Sequence, residues 1–385
     1  MTRVLAWVQH LLGTGHVERL RWIAEALVQR GAEVTFVHGG MPLPSRMPRG
    51  ARVVELPPLR ATDATFATLV DAEGRPVDAT YARRRRAALL DAFVHARPNV
   101  VLLETYPFGR RALRAELGAL LDTAAVASPR PRVVASVRDL LHKRDDPRRD
   151  AQVWAEAQHR LDAILVHGDP AFARLEDTFA PAADGSVPVV YTGYVRPPAP
   201  PPPAAARDLV VVSASGGEAG DVLLDAALEA RALGAQPGRS WRVLVGPGVP
   251  AARFDRLRRV GQAAGAQVER HRDDFAALLA RARVAVTQAG YNTVLDVLVA
   301  RAPSVLVPFA GAGETEQRMR AARLAALERA QVVDERDLAP PVLAAAIERA
   351  AGSGPMPPCP FDVDGARRAA EAVLALAEGR RPGGI

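Results

Sequence analysis

Two groups of residues in the second half of the chain have the types and spacing to hold a phosphorylated, hydroxyl-rich ligand. The first is Gln288-Ala289-Gly290-Tyr291-Asn292-Thr293 with Asp296. Val284, Ala285 and Val286 read as the end of a buried strand and Gly290 as a turn. Asn292 and Thr293 read as the first turn of a helix continued by Val294, Leu295, Val297 and Leu298. A helix N-terminus carries unpaired N–H groups and the positive end of the helix dipole, which suits a diphosphate. A glycine just before it lets phosphate oxygens come close to the backbone. Asp296 follows about one turn on, where an acceptor-only carboxylate can take both hydroxyls of a ribose. The second group, Glu314 to Gln317, is expected in the loop after the next buried strand, Val305-Leu306-Val307-Pro308-Phe309. In parallel sheets the loops beyond the carboxyl ends of strands converge on one crevice, so both groups are expected at one ligand. An ordinary strand–turn–helix connection would also read this way.

The first half offers proton chemistry. Gln9-His10-Leu11-Leu12-Gly13-Thr14-Gly15-His16 follows the strand pattern Val4 to Val8 and precedes a helical stretch. Gly13 and Gly15 allow close backbone approach, and His16 opens the helix. An imidazole with an ordinary pKa of about 6.5 can take a proton from a hydroxyl near neutral pH. The dinucleotide fingerprint is absent, because no third glycine falls at the required offset. At the equivalent place in the second half, Ser213-Ala214-Ser215-Gly216-Gly217 offers small residues whose amides suit a diphosphate. Glu104 and the pair Arg138-Asp139 each end a strand pattern. Glu104 is a second candidate base, and Arg138 with Asp139 either lines the pocket of a second substrate or orders a loop as an ion pair.

The elements that must position these residues alternate. Strand patterns at 4–8, 33–37, 100–103, 132–137 and 163–167 are separated by helical stretches, and the rhythm restarts at 209–213, 241–245, around Val268, 284–287 and 305–308. Such alternation predicts an α/β chain with two Rossmann-like, doubly wound parallel-sheet domains facing across a cleft. Six prolines in Pro197 to Pro203 predict an extended linker. The expected division is 1–196, a Pro-rich linker 197–207, a second domain 208–360, and a C-terminal helix within 361–385 that packs back on the first domain.

The 385 residues are 49% hydrophobic and 24% charged, which suits two globular cores. The formal net charge of +7 first suggests nucleic acid. Lys143 is the one lysine, however, and the arginines are interleaved with acids, which argues for a bias in basic residue type and against a nucleic-acid face. The run Arg83-Arg84-Arg85-Arg86 is expected on a solvated helix surface or against an anionic acceptor or membrane. The single Cys359 excludes an internal disulfide and fits a reducing cytoplasm. Neither a signal-peptide pattern nor a membrane-length apolar run is expected, so membrane contact would be at most peripheral. Asp362-Val363-Asp364 is expected to cap a helix, Asp145-Asp146 and Asp273-Asp274 have no histidine or cysteine at ligand spacing, and no metal is implied.

Gln288 to Thr293 with Asp296, followed by Glu316-Gln317, resembles the donor-binding signature of the GT-B glycosyltransferases, His-Cys-Gly-Trp-Asn-Ser-x-x-Glu followed by Asp-Gln. Gly13-Thr14-Gly15-His16 resembles the first loop of the family 28, peptidoglycan N-acetylglucosaminyltransferase-like group. The stretches from Glu104 to Arg111, Ser136 to Leu141 and His167 to Pro170 are similar to a bacterial branch of predicted glycosyltransferases related to it. The resemblance implies an inverting, metal-independent transfer of a hexose or N-acetylhexosamine from a nucleoside-diphosphate sugar, UDP-linked as the first expectation, to an acceptor hydroxyl or amine. It needs no cofactor besides that co-substrate, and the acceptor is a small molecule, natural product or lipid-linked compound. It assigns the diphosphate to Gly290, Asn292 and Thr293 within the window containing Gln288, Ala289 and Tyr291, and the ribose to Asp296. Glu316 and Gln317 are assigned the sugar hydroxyls. Val268 to Arg272, including His271, would form the base loop, with Gly13, Gly15, Ser215, Gly216 and Gly217 also on the donor side. His16 is the implied general base. Two departures stand out: Gln288 replaces a phosphate-binding histidine of many relatives, and Asp296 a longer glutamate. A sugar-nucleotide 2-epimerase of the same fold, or a non-catalytic nucleotide-sugar or nucleic-acid binder, is the alternative.

Overall fold

A computed structural model describes residues 1–11, 14–62, 68–143, 146–196, 207–214, 220–246, 248–272, 274–311 and 314–384. The chain forms two units, Met1–Pro197 with Phe361–Ile385, and Pro198–Pro360. Most of the expected proline linker, 197–206, lies outside the described residues, as do Gly13, Ser215, Gly216 and Gly217.

The first unit runs β1 (Arg3–Val8), α1 (Gly15–Gln29), β2 (Glu33–His38), β3 (Arg52–Glu55), β4 (Arg60–Ala61), β5 (Leu69–Val70), α2 (Ala79–Ala96), β6 (Val100–Glu104), α3 (Arg114–Val126), β7 (Arg132–Arg138), α4 (Pro147–Arg160), β8 (Ala163–His167) and β9 (Val189–Tyr191). Seven strands make one parallel sheet in the order β3-β2-β1-β6-β7-β8-β9, and β4 and β5 form a separate antiparallel pair. Strand side chains alternate between faces, and the apolar runs are therefore divided between two cores. Leu5, Trp7, Val101, Leu103 and Ala135 pack with Leu89 and Phe93 of α2, Leu117 and Leu120 of α3, and Trp154 of α4. Val4, Ala6, Val8, Leu102 and Val134 lie in the other core with Leu20, Ile23 and Leu27 of α1 and with the last helix of the chain, α11 (Gly365–Ala377), through Ala369 and Val373.

In the second unit the order is β10 (Leu209–Ser213), α5 (Asp221–Ala232), β11 (Ser240–Val245), α6 (Ala251–Ala264), β12 (Ala266–Arg270), α7 (Phe275–Ala280), β13 (Ala282–Thr287), α8 (Tyr291–Val299), β14 (Ser304–Leu306), α9 (Glu316–Ala326), β15 (Gln331–Val332) and α10 (Pro340–Gly352). Its six parallel strands lie in the order β12-β11-β10-β13-β14-β15. Val210, Val212, Val243 and Val284 meet Leu223 of α5, Leu257 of α6 and Ile347 of α10. Leu209, Val211, Leu244 and Ala285 belong to the opposite core with Phe275, Leu279 and Val297 of α7 and α8.

Both sheets reverse their strand order once, between β1 and β6 in the first unit and between β10 and β13 in the second. Ligands of open parallel sheets bind beyond the carboxyl ends of the strands at such reversals. His16 follows β1 and Glu104 ends β6; the Gln288 window follows β13. Among the described residues no helix is long and apolar enough to cross a membrane. Asp362 Oδ1 accepts the Asp364 N–H ahead of α11, and the Asp364 carboxylate takes the Arg367 guanidinium.

Candidate functional site

In the first unit, the site is a histidine backed by a buried carboxylate. His16 Nδ1 lies 2.8 Å from Glu104 Oε1, with the histidine side chain 20% exposed and the glutamate 0%. A carboxylate only accepts, so Nδ1 carries the ring proton and Nε2 keeps its lone pair. Arg19, one turn further along α1, also donates to Glu104 Oε1, and the Thr105 hydroxyl does so at 2.8 Å. The Ser136 hydroxyl donates to Glu104 Oε2 at 2.9 Å. Burial, then the charge of Arg110, pushes the His16 pKa down to about 3 against the pull of Glu104, so the imidazole is neutral near pH 7. Burial alone would raise the Glu104 pKa, but the Arg19 guanidinium, His16 and His167 outweigh it and hold the carboxyl below the ordinary range.

This geometry corrects the expectation of Glu104 as a second base. Both of its oxygens are occupied and it has no exposed surface, so its place is behind His16 as the group that orients it. For Asp139 the structure favours the loop-ordering alternative over the pocket. It is fully buried, accepting the Leu140 N–H at 2.8 Å and the Tyr194 hydroxyl at 3.3 Å, and it orders the loop after β7. Gly168 makes room for it, since an added Cβ there would lie 2.8 Å from Asp139 Cβ. Arg138 stands half-buried at the end of β7.

The arginine run is also corrected. Arg83, Arg84 and Arg86 are exposed, but Arg85 is 1% exposed and forms a two-point ion pair with Glu116 of α3 at 2.9 and 3.0 Å. It further donates to the carbonyls of Gly39 and Pro57 and to Gln9 Oε1. Beside it the His10 and His38 rings stack at 5.1 Å, with Nδ1 of the first 3.0 Å from Nε2 of the second.

Burial first, with the neighbouring charges second, lowers the pKa of His10 and His38 to about 4, and burial lowers that of His167 to about 3. With His16 this gives four histidines that stay neutral in the fold where the unfolded chain would bind protons. Folded values below the unfolded 6.5 place their stabilisation fully above pH 6.5, and it is lost as pH falls through about 4 and then 3. Stability of the first unit is therefore expected to fall as the pH drops from 6.5 towards 4. Denaturant melts at pH 7 and pH 5 check it, and equal midpoints would refute it.

In the second unit the site is a strand–turn–helix headed by a glycine. Gly290 is the N-cap of α8 and, as a glycine, has no side chain of its own to cap that end. Asn292 is exposed, Thr293 and Asp296 are half-buried, and Gln288 and Tyr291 are buried. Gly290 has an ordinary φ of −65°, and a Cβ added there would meet nothing within 4 Å. The folded chain itself therefore does not require glycine at this point. The turn is held by α9: Ala289 N–H donates to Gln317 Oε1 at 3.1 Å, and the Ala289 carbonyl accepts from Arg320 at 2.8 Å. Gln317 Oε1 also accepts the Phe309 N–H at 3.2 Å, joining the loops after β13 and β14.

Three expectations change here. Glu316 and Gln317 begin α9 instead of lying in the preceding loop, and Glu314 Oε1 caps that helix by accepting both of their N–H groups at 2.6 and 3.2 Å. Glu316 is only 2% exposed. Val268 is inside β12 and packed in the core, so the base loop cannot begin there. His271 and Arg272 do follow the strand; the His271 ring lies 5.7 Å from that of Phe275, and Arg272 pairs with Asp274 and Glu269. Sequence reasoning missed Arg19 and Arg320, whose buried guanidiniums hold Glu104 and the Ala289 carbonyl. Their signal was an arginine on the buried stripe of an amphipathic helix.

Residues 242–355 match the family described as the glycosyltransferase family 28 C-terminal domain. Over 81 residues the chain is 37% identical to a UDP-N-acetylglucosamine--N-acetylmuramyl-(pentapeptide) pyrophosphoryl-undecaprenol N-acetylglucosamine transferase of Rhizobium johnstonii, a match spanning 21% of this chain and 22% of that one. The chain thus matches about a fifth of that relative's length. Among solved structures, MurG of Acinetobacter baumannii aligns with a TM-score of 0.56 at 14% identity, covering 99% of this chain and 96% of that one. A UDP-glucosyltransferase from Polygonum tinctorium capable of glucosylating indoxyl aligns at 0.60 and 14%, covering 98% and 94%. The chain has the two-domain α/β fold of the GT-B glycosyltransferases and resembles family 28 in its second unit.

Proposed function

We propose that the protein moves a hexose or N-acetylhexosamine from a nucleoside-diphosphate sugar, UDP-linked in the first instance, to an acceptor hydroxyl or amine, with inversion and without a metal. The observation that carries this reading is the glycine-headed start of α8 at the strand-order reversal of the second sheet, inside the segment that matches family 28. Backbone N–H groups and the helix dipole there suit a leaving diphosphate and would take the part a metal takes in other transferases. Asp296, in the second turn, suits the ribose hydroxyls. Gln317 has its carbonyl oxygen committed to two backbone N–H groups, which leaves its amide nitrogen to donate to a sugar hydroxyl.

The reaction assigns donor binding to the second unit and proton removal to the first. His16 Nε2 takes the acceptor's proton as its oxygen or nitrogen bonds to the anomeric carbon, and the bond from that carbon to the diphosphate breaks on the opposite side. The imidazolium that forms is stabilised by Glu104. The acceptor class follows from the relatives alone: a lipid-linked or small hydroxyl compound.

A thermal-shift screen of nucleoside diphosphates and their sugars tests the donor, because a ligand of the folded form raises apparent stability. A rise with UDP or its sugars is expected. Asp296→Ala is expected to weaken that binding by about 1.5–3 kcal/mol, the range for hydrogen bonds to a charged group, as read by calorimetry. Full turnover in excess chelator, and a product of inverted anomeric configuration by NMR, would check the finer claims. No shift with any diphosphate would remove the reading.

A further inference from the structure

The apolar columns of β6, β7 and β8 that face α1 end in polar residues. Leu102 leads to Glu104, Val134 to Ser136 and Leu165 to His167, each two positions on and therefore on the same face of the sheet. The Ser136 hydroxyl donates to Glu104 Oε2 at 2.9 Å, His167 Nε2 lies 2.8 Å from that hydroxyl, and His167 Nδ1 lies 2.8 Å from the Thr192 hydroxyl. All four side chains are buried. Polar groups in such a layer are costly unless each is satisfied, and here every one has a partner.

The protons in this row have one consistent arrangement. Glu104 is ionised and can only accept, so Ser136 gives it its single proton. The Ser136 oxygen must then accept from His167, which places the ring proton on Nε2 and the lone pair on Nδ1. That lone pair takes the Thr192 proton across 2.8 Å, a shorter contact than those of the same hydroxyl with the Gly193 and Val166 carbonyls at 3.1 and 3.4 Å. On the other side of the carboxylate, His16 donates from Nδ1. The two histidines thus hold opposite tautomers, fixed by one carboxylate between them.

We propose that His167, acting through Ser136, is a positioning residue for His16: the chain Thr192–His167–Ser136 occupies one oxygen of Glu104 and turns the other toward the base. This rests on the role given to His16 above. Without the Ser136 hydrogen bond, Glu104 Oε2 would be buried and bare, and the carboxylate would turn to share Oε1 and Oε2 among Arg19, Thr105 and His16. The charged groups facing His16 are Arg19 from its own helix, Glu104 from β6 and Arg110 from the following loop; Arg19 and Glu104 face His167. None of them is altered in the test.

The test is ¹⁵N-histidine NMR of the full chain at neutral pH, with steady-state kinetics on the same samples. Wild type is expected to show His16 as the Nδ1–H tautomer and His167 as the Nε2–H tautomer. In Ser136→Ala and His167→Leu, His16 becomes a mixture of tautomers and kcat falls about tenfold, an aiming effect equal to one pKa unit of free energy. The donor KM stays unchanged. His167→Gln keeps an N–H donor near the Nε2 position and restores both readouts. A single unchanged His16 tautomer in all three variants, or His167 found as Nδ1–H in wild type, overturns the proposal. If His167→Leu does not fold, Ser136→Ala and the wild-type tautomers decide. The spectra judge the chain of hydrogen bonds even if no acceptor is found, whereas absence of sugar transfer by wild type tells against the proposed reaction.

Discussion

His16→Ala is expected to lower turnover by about 10² to 10⁴ while the affinity for the nucleotide sugar stays at the wild-type value. The loss is large because the proposed general base is removed, and it is confined to turnover because the proposed donor contacts, at the start of α8, belong to the second unit. A pH profile sharpens the expectation. An ordinary histidine base would give a falling limb near pH 6.5, but burial and the Arg110 charge push the His16 pKa down to about 3. The wild-type kcat/KM is therefore expected to stay level from pH 7.5 down to the onset of acid unfolding. A limb near 6.5 that vanishes in another variant, or wild-type turnover in His16→Ala, would place the proton transfer elsewhere. Donor affinity by calorimetry and kcat by product formation separate the two effects.

What the sequence disclosed follows the range of the interactions involved. The central strands were legible because each is buried on both faces and reads as a short apolar run. β3, with Arg52, Val53 and Glu55 exposed, and the three-residue β9 and two-residue β15 lie at sheet edges and show no such run. The start of α8 was legible because it is local chemistry, a glycine ahead of a helical pattern. The hold on that turn was not, since Gln317 and Arg320 reach it across about thirty residues of chain, as the separations of 28 and 31 show. Val268 was read twice, as part of a strand and, by counting an interval between motifs, as the start of a base loop; the strand reading holds, with Ala266 and Val268 buried and Gln267 exposed. His16 lies in the first turn of α1, as its place after the first strand pattern implies. Its orienting carboxylate was mistaken for a rival base because only tertiary structure puts Arg19, Ser136 and His167 around Glu104. Composition hid the buried arginines: in a chain whose basic residues are nearly all arginine, one more in a helix carries little signal.

Arg85 shows what that signal was and how large its effect is. It precedes Leu89, Ala92, Phe93 and Ala96 at spacings of three and four, which is the buried stripe of α2, while Arg83, Arg84 and Arg86 point outward. Its guanidinium joins α3 through Glu116 to the segments after β1 and β2 through Gln9 and the Gly39 carbonyl. Arg85→Ala leaves the Glu116 carboxylate and these acceptors buried without their donor, and is expected to destabilise the first unit by about 3–5 kcal/mol. The pair itself need not be stabilising relative to an apolar substitute, because removing two charges from water costs about as much as their attraction returns. Arg85→Met combined with Glu116→Leu is therefore expected to recover most of the loss, with the remainder coming from the unpaired Gly39 and Pro57 carbonyls and Gln9. Denaturant midpoints of wild type, both single variants and the double variant measure the coupling. A loss under about 1 kcal/mol in Arg85→Ala would mean that the arginine can reach solvent and that the ion pair does not organise this end of the sheet.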